Sequence, residues 1–315
     1  MPGLLPVFRK ELADHFNSRR FIILFLLVLV SGLGAAYVAA QSIREELGRA
    51  SEMPVSVFLL LFTASNGTLP AFITFIGFLG PLVGLALGFD AINSEQARGT
   101  LSRLLAQPIY RDSVINGKFL AGLATIAVML TAITLLATGL GLPLIGRPPG
   151  PEEIARLVLF IVLSVVYVAF WMAVAIFFSI VFRQTATAAL ASIALWIVCA
   201  FFVGMLAGVA ADLIAPLGQD PAPAQVLRND ELRRAIARIS PTRLYAEAVG
   251  IIMNPSRNML SDLVLASEVR GMVPGTLPLL QSLLLVWPQV TGLIALTCIC
   301  FAASYIRFMR QEIRA

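Results

Sequence analysis

FLAGLATIAVMLTAITLLATGLGLPLIG, running from Phe119 to Gly146, contains no charged side chain. About 20 predominantly apolar residues are enough to cross the hydrocarbon core of a bilayer. No water reaches that core, so each backbone N–H and C=O must be bonded within a helix or a closed barrel. Barrel strands are alternating segments of roughly ten residues. This run is longer and does not alternate, so it predicts a membrane-spanning α-helix.

The same reading extends in both directions. Phe21–Ala40, Met53–Phe89, Leu157–Phe182, Gln184–Ala211 and Gly271–Ile306 are also free of charge. Met53–Phe89 exceeds one span, and Pro70 marks where its crossing part begins. The expected architecture is an all-α membrane protein, a six-transmembrane-helix bundle with spans at 21–40, 70–91, 119–141, 157–182, 186–211 and 279–306, in a single transmembrane domain over 1–315. Composition agrees: 58% of residues are hydrophobic and 13% charged, against about 25% charged in soluble domains. The net charge of +5 sits in short clusters between apolar runs, which argues against nucleic acid. Cys199, Cys298 and Cys300 all fall inside spans and read as small apolar packing residues. They form no disulfide framework or metal spacing. No cleavable leader is expected, because a charged stretch precedes the first span and no small-residue cleavage site follows it.

Lys and Arg in short loops mark the cytoplasmic side. With both termini inside, the inner segments hold Arg9, Lys10, Arg19, Arg20, Arg98, Arg103, Arg111, Lys118, Arg183, Arg307, Arg310 and Arg314. The short outer loops hold Arg44, Arg49, Arg147 and Arg156. The expected location is the inner membrane, multi-pass, with N- and C-termini cytoplasmic. Residues 213–275 then form an extracytoplasmic segment; long loops cross largely regardless of charge.

Leu5, Phe8, Leu12 and Phe16 recur at helical spacing, with Arg9, Lys10, Asp14 and Arg19 elsewhere on the wheel. Residues 1–20 therefore read as an amphipathic helix lying in the interface before the first span. Gln41–Glu52 reads as a charged helical stretch, and Val55–Phe62 as an outer-face or partly inserted segment. Gly77, Gly80, Pro81, Gly84 and Gly88 make the second span rich in small residues, which lets helices approach closely. In the outer segment a helix is expected from Asn229 through Ile239. Ser240-Pro241 is an N-cap with Pro at the first helical position, launching Thr242–Met253. Asn254-Pro255 ends that helix, Ser261–Ala266 reads as another short one, and Pro274-Gly275 as a turn.

The most specific stretch lies between the second and third spans, residues 92–118. Ser94 to Arg98 is short and polar. Thr100 is a candidate cap for a helix with an apolar face of Leu101, Leu104 and Leu105 and with Arg103 opposite; Pro108 stops it. Arg111–Lys118 then leads into the third span, with Asp112 or Ser113 as cap. Periodicity leaves two readings: a lever presenting leucines to a partner, or a helix flat on the lipid headgroups.

The pattern Glu95-x-x-x-Gly99-Thr100-Leu101-x-x-Leu104-Leu105-x-x-Pro108-x-x-Arg111, followed by Gly117-Lys118, resembles the ABC-2-type transporter permease family, in the style of the permeases that serve nitrous oxide reductase maturation. The opening Phe8-Arg9-Lys10-Glu11-Leu12 and the outer Ser240-Pro241-Thr242-x-Leu244-Tyr245-x-Glu247 are similar to that family too. The resemblance implies that 92–118 is a cytoplasmic coupling segment. Glu95, Gly99 and Thr100 would shape its start, the three leucines would engage an ATPase or pack on the bundle, and Arg111 would make a polar contact at its exit. It further implies two copies of an ABC ATPase subunit carrying ATP and Mg, and a second permease in a homo- or heterodimer. An extracytoplasmic accessory protein is a candidate partner for 213–275.

No cofactor, metal or nucleotide site is expected on this chain. Gly117-Lys118 lacks the phosphate-loop glycine spacing, and Phe119 stands where Ser or Thr is needed; it reads as a helix start with a snorkelling lysine. No ionisable group falls at mid-membrane depth, which weighs against the alternative of an ion-coupled secondary transporter. A membrane enzyme finds no support in the single histidine, His15, which is expected at headgroup level. Thr131, Thr134 and Thr138 share one face of the third span, and Ser164, Tyr167 and Trp171 one face of the fourth. Both sets are candidates for a translocation path, or for ordinary interhelical hydrogen bonds. Trp287-Pro288 is a candidate kink.

Overall fold

The computed structural model describes residues 3–47, 57–65, 69–100, 109–146, 148–217, 222–254 and 277–311. In chain order its helices are α1 (Leu4–Asn17), α2 (Arg19–Leu47), α3 (Val57–Thr63), α4 (Phe72–Gly88), α5 (Asn93–Ala97), α6 (Arg111–Ile145), α7 (Pro151–Val181), α8 (Thr185–Ile197), α9 (Val203–Ile214), α10 (Pro223–Ala237), α11 (Pro241–Met253) and α12 (Leu279–Arg310). Among the described residues there is no strand. Six helical stretches are long and apolar enough to cross a membrane: Arg19–Glu45, Phe72–Ala97, Arg111–Ile145, Pro151–Val181, Thr185–Ile214 and Leu279–Arg310. The chain is therefore a multi-pass all-α membrane protein.

Helix α7 is the most buried of the six and packs against α4, α12, α6, α8 and α11. Trp171, Arg156, Tyr167 and Phe160 are its largest enclosed side chains. Close approach to α4 depends on glycine: a Cβ on Gly84 would overlap the Val168 carbonyl oxygen, and one on Gly88 would lie 2.6 Å from that of Met172. The small-residue face read from the sequence is thus the α4–α7 seam. Helix α3 is inserted rather than peripheral, with Val57, Phe58, Leu59, Leu61 and Phe62 all buried.

Two backbone irregularities are satisfied by side chains from other elements. Pro81 inside α4 has no N–H to offer the Gly77 carbonyl four residues earlier. The Tyr167 hydroxyl donates to that carbonyl at 3.1 Å instead. The fifth span contains a π turn at Val198–Phe202. There the Cys199 carbonyl accepts a 2.7 Å hydrogen bond from Ser240 Oγ at the start of α11. Nothing in the residue types announces the π turn, because it depends on how α11 packs.

Other boundaries differ from sequence expectation. The first span runs unbroken into the charged stretch, so that Arg19–Leu47 is a single helix. Arg111–Lys118 is the first two turns of α6 rather than a separate element. Helix α10 begins at Pro223, not Asn229. Proline is favoured at the first helical position, and Gln225 bonds back to the Ala222 N–H at 3.2 Å. Asn229 lies mid-helix and is buried, bonded to Asp212 Oδ1 and the Ala215 carbonyl, both at 2.9 Å. Helix α11 starts at Pro241 as read, and α12 continues through Pro288. The expected features at Ser261–Ala266 and Pro274-Gly275 lie outside the described residues.

Candidate functional site

Among the described residues, the end of the bundle that carries α1 holds the excess of positive charge. Helix α1 lies against the start of α6, where the Val7 side chain fills the space a Cβ on Gly117 would need. One residue on, Lys118 is only 6% exposed and does not snorkel as its position at the head of a span suggested. Its ammonium donates to Glu11 Oε1 at 2.8 Å and to Glu95 Oε1 at 2.9 Å. One buried cation therefore joins three elements distant in sequence: α1, α5 and α6. Lys10 extends the cluster from its rim, 2.9 Å from Glu11, 3.3 Å from Asp14 and 3.5 Å from Glu95. Arg20 meets Asp90 at 2.7 Å.

Electrostatics favour the charged forms of Glu11 and Lys10. Burial alone would raise the Glu11 carboxyl, but the charge and hydrogen bond of Lys118, aided by Lys10, outweigh it and hold the group below its usual range. Burial would lower Lys10, yet its bonds to Glu11 and the nearby carboxylate charges push it well above the ordinary lysine value. His15 has no such compensation. Burial and the Lys118 charge outweigh the attraction of Glu11, Asp90 and Asp14, so the imidazole titrates below its ordinary value.

The sequence-derived candidates fall as follows. Glu95 is buried beside Lys118. Gly99 adopts φ +67, the left-handed region where glycine is unstrained. Thr100 turns its hydroxyl back to the Glu95 carbonyl at 3.2 Å. Arg111 donates to the Gln311 carbonyl at 3.2 Å, which brings the far end of α12 to this same face. Leu101, Leu104, Leu105 and Pro108 lie outside the described residues. On α1, Leu5 and Phe16 are exposed and Phe8 and Leu12 half-buried, while Val7 and Glu11 are the enclosed pair. The apolar row thus points away from the bundle.

Several polar residues of the spans bond to α11 or back to their own helix. Ser164 is fully buried, 2.8 Å from the Tyr245 hydroxyl, and Tyr167 stacks on Tyr245 with ring centroids 4.2 Å apart. Tyr167 also lies 3.2 Å from Thr242 Oγ1. Thr134 is buried, Thr131 and Thr138 are half-buried, and Thr138 bonds back to the Thr134 carbonyl at 2.8 Å. At the opposite end of the bundle Arg156, read as a loop charge, is 1% exposed. It reaches Glu152 at 2.8 Å, the Ile252 carbonyl at 2.7 Å, the Leu277 carbonyl at 2.5 Å and Ser282 Oγ at 3.2 Å. Among the described residues no three His, Cys, Asp or Glu side chains converge as a metal site.

A multi-pass bundle of apolar helices with its excess of positive charge at one end defines an integral membrane protein. The chain belongs to the ABC-2 family of transporter proteins, whose family model matches residues 5–313. It is similar to the probable ABC transporter permease protein NosY of Pseudomonas aeruginosa, with 32% identity over 120 residues, 38% of each chain. It is also similar to the protein of the same name from Stutzerimonas stutzeri, with 33% identity over 111 residues, 35% of each chain. The matched stretch thus spans little more than a third of the length of either relative. Family and fold together make this chain the membrane component of an ABC transporter.

Proposed function

We propose that this chain is the permease subunit of an ABC exporter of the inner membrane, moving its substrate across or out of the bilayer, and that a separate ATPase docks on the segment between α5 and α6. Two permeases pair, each with one ATPase, which carries the ATP and Mg. The end of the bundle bearing α1 is cytoplasmic.

The observation that supports this reading most is the buried contact of Lys118 with Glu11 and Glu95. It ties the interfacial helix and the approach to the 101–108 segment to the first turns of α6. Displacement of that segment by a partner is then carried into α1, α4 and α6 together, because packed elements move as units rather than bending freely. Glu95, Gly99 and Thr100 set the direction in which the segment leaves α5. Leu101, Leu104 and Leu105 form its docking face, Pro108 ends it, and Arg111 holds its exit to the end of α12. Thr131, Thr134, Thr138, Ser164 and Tyr167 belong to the translocation path, and Leu5, Phe8, Leu12 and Phe16 rest in the lipid interface. Residues 213–275 face the extracytoplasmic side, where an accessory protein would dock.

The test is to co-express the chain with a candidate ABC ATPase from the same genome, reconstitute both, and compare the wild type with the double substitution Leu104→Asp and Leu105→Asp. Loss of ATPase co-purification and of transport-linked hydrolysis, with membrane insertion unchanged, is the expected result. Normal coupling in that variant overturns the docking assignment.

A further inference from the structure

At the level where apolar span residues give way to charge, α1, the first turns of α2 and the end of α4 enclose a cavity of about 180 Å³. Its two sides differ in chemistry. Phe21, Leu24, Val83 and Leu87 line one side, and the Lys118 cluster with Asp14 and Arg98 lines the other. Pockets for drug-sized ligands are typically about 300–1,000 Å³ and mostly apolar. This one is smaller and divided, which suits a polar headgroup whose chain continues along the spans.

The charges within it are separated. Around the enclosed Lys118 and the exposed Lys10 stand three carboxylates, the enclosed Glu11 and Glu95 and the exposed Asp14. The cluster is one cation short. It is also one donor short, because the second oxygen of Glu95 is buried without a hydrogen bond while the side chain as a whole is 9% exposed. At the rim the imbalance reverses. Arg20 is matched by Asp90, but Arg98 bonds only the Ser94 carbonyl and hydroxyl, at 3.1 and 3.3 Å, and no carboxylate among the described residues. A ligand complementary to this pattern carries an N–H cation inward, an anion at the rim and an apolar tail.

We propose that this cavity binds the headgroup of a phosphoethanolamine-type amphiphile, with its ammonium at the Glu11–Asp14–Glu95 cluster and its phosphate at Arg98. The site shares Glu11, Glu95 and Lys118 with the contact that ties α1 and α5 to α6, and a ligand there holds α1 to the bundle. A guanidinium recognises phosphate oxygens strongly, and a bound ligand stabilises the folded state by mass action.

The test uses the full chain purified in mild detergent and offered phosphatidylethanolamine, phosphatidylcholine and phosphatidylglycerol of identical acyl chains, with retained lipid read by native mass spectrometry. Phosphatidylcholine keeps the positive charge but has no N–H, and phosphatidylglycerol has no cation. Phosphatidylethanolamine is expected to be retained at least about fivefold over both. Arg98→Gln and Asp14→Asn, both at exposed residues, are each expected to weaken that retention about tenfold, the loss of roughly 1.4 kcal/mol, without changing the other two lipids. Free phosphoethanolamine in a parallel thermal-shift series separates the sources: a shift with it equal to that with the lipid assigns the same site to a soluble zwitterion, and a shift with the lipid alone assigns it to the bilayer. Equal retention of the three lipids, or unchanged retention in both variants, overturns the proposal.

Discussion

Lys118 lies 2.8 Å from Glu11 although 107 residues separate them in the chain. Both side chains are nearly enclosed, at 6% and 10% exposure, so the contact is one of paired desolvated charges. Removing one partner of such a pair costs about 3–5 kcal/mol, because the other is left buried and uncompensated. Lys118→Met is therefore expected to lower the thermal midpoint strongly and to release α1, seen as faster hydrogen exchange across residues 4–17. Replacing all three groups, by Lys118→Met with Glu11→Gln and Glu95→Gln, should recover most of the stability. If the single substitution leaves the exchange of α1 unchanged, the cluster does not hold that helix.

His15 gives the same attachment a pH dependence. Its folded value lies below the ordinary 6.5, so the folded state prefers the neutral ring. The stability contributed is fully present above pH 6.5 and is lost as pH falls through the lowered folded value. Glu11 acts in the same direction at lower pH: its contribution is complete above the ordinary 4.5 and lost as pH falls through its depressed value. Lys10, raised, loses its contribution only as pH rises through its elevated value. Thermal midpoints measured from pH 8 to pH 5 should decline for the wild type and stay nearly flat for His15→Gln. Parallel curves would remove His15 from the account.

The six spans are legible in the sequence because absence of charge over about 20 residues has one physical outcome in a bilayer. Helix α11 is legible because Ser240-Pro241 is a local start signal, although Ser240 spends its hydroxyl on Cys199 rather than on a cap. The charged cluster is not legible. Lys118 at the head of a span has the appearance of any snorkelling lysine, and only tertiary structure brings Glu11 to it. Glu11 itself is hidden beside the apolar row Leu5, Phe8, Leu12 and Phe16, which marks one face of α1 while the flank that carries Val7 and Glu11 makes the contact. Arg156 is missed for the same reason, since a charge just before a span reads as loop until Ile252 and Leu277 are placed beside it.

Glycines in this chain divide by what stands opposite them. At Gly84 a Cβ would meet backbone of α7, and backbone cannot swing aside. Gly84→Ala is expected to cost about 1–3 kcal/mol by overpacking, separating α4 from α7. At Gly204 nothing lies within 4 Å, so Gly204→Ala should gain up to about 1 kcal/mol from helix propensity. Thermal unfolding of the two variants side by side tests the seam. A Gly84→Ala protein as stable as the Gly204→Ala protein would show that the helices part without cost.

Arg156 performs at the opposite end what Lys118 performs at the first. Ile252 is in the last turn of α11, where carbonyls lack an intrahelical partner, and a cation is favourable against that end of the helix dipole. The guanidinium satisfies this carbonyl, that of Leu277 ahead of α12, and Ser282 within α12. Each acceptor left buried and unpaired costs about 1–3 kcal/mol, so Arg156→Met is expected to destabilise by at least about 3 kcal/mol. The loss should be local first. Helix α11 carries Tyr245, whose stack on Tyr167 and contact with Ser164 fill the centre of the bundle, and it is anchored at its start by Ser240 and at its end by Arg156. Hydrogen exchange in Arg156→Met should therefore rise over 241–253 before it rises in α7. Arg156→Lys keeps the charge but not the planar fork of donors and should recover only part of the protection. A uniform rise across all helices would instead mean that Arg156 supports the whole bundle and that α11 does not move as a unit.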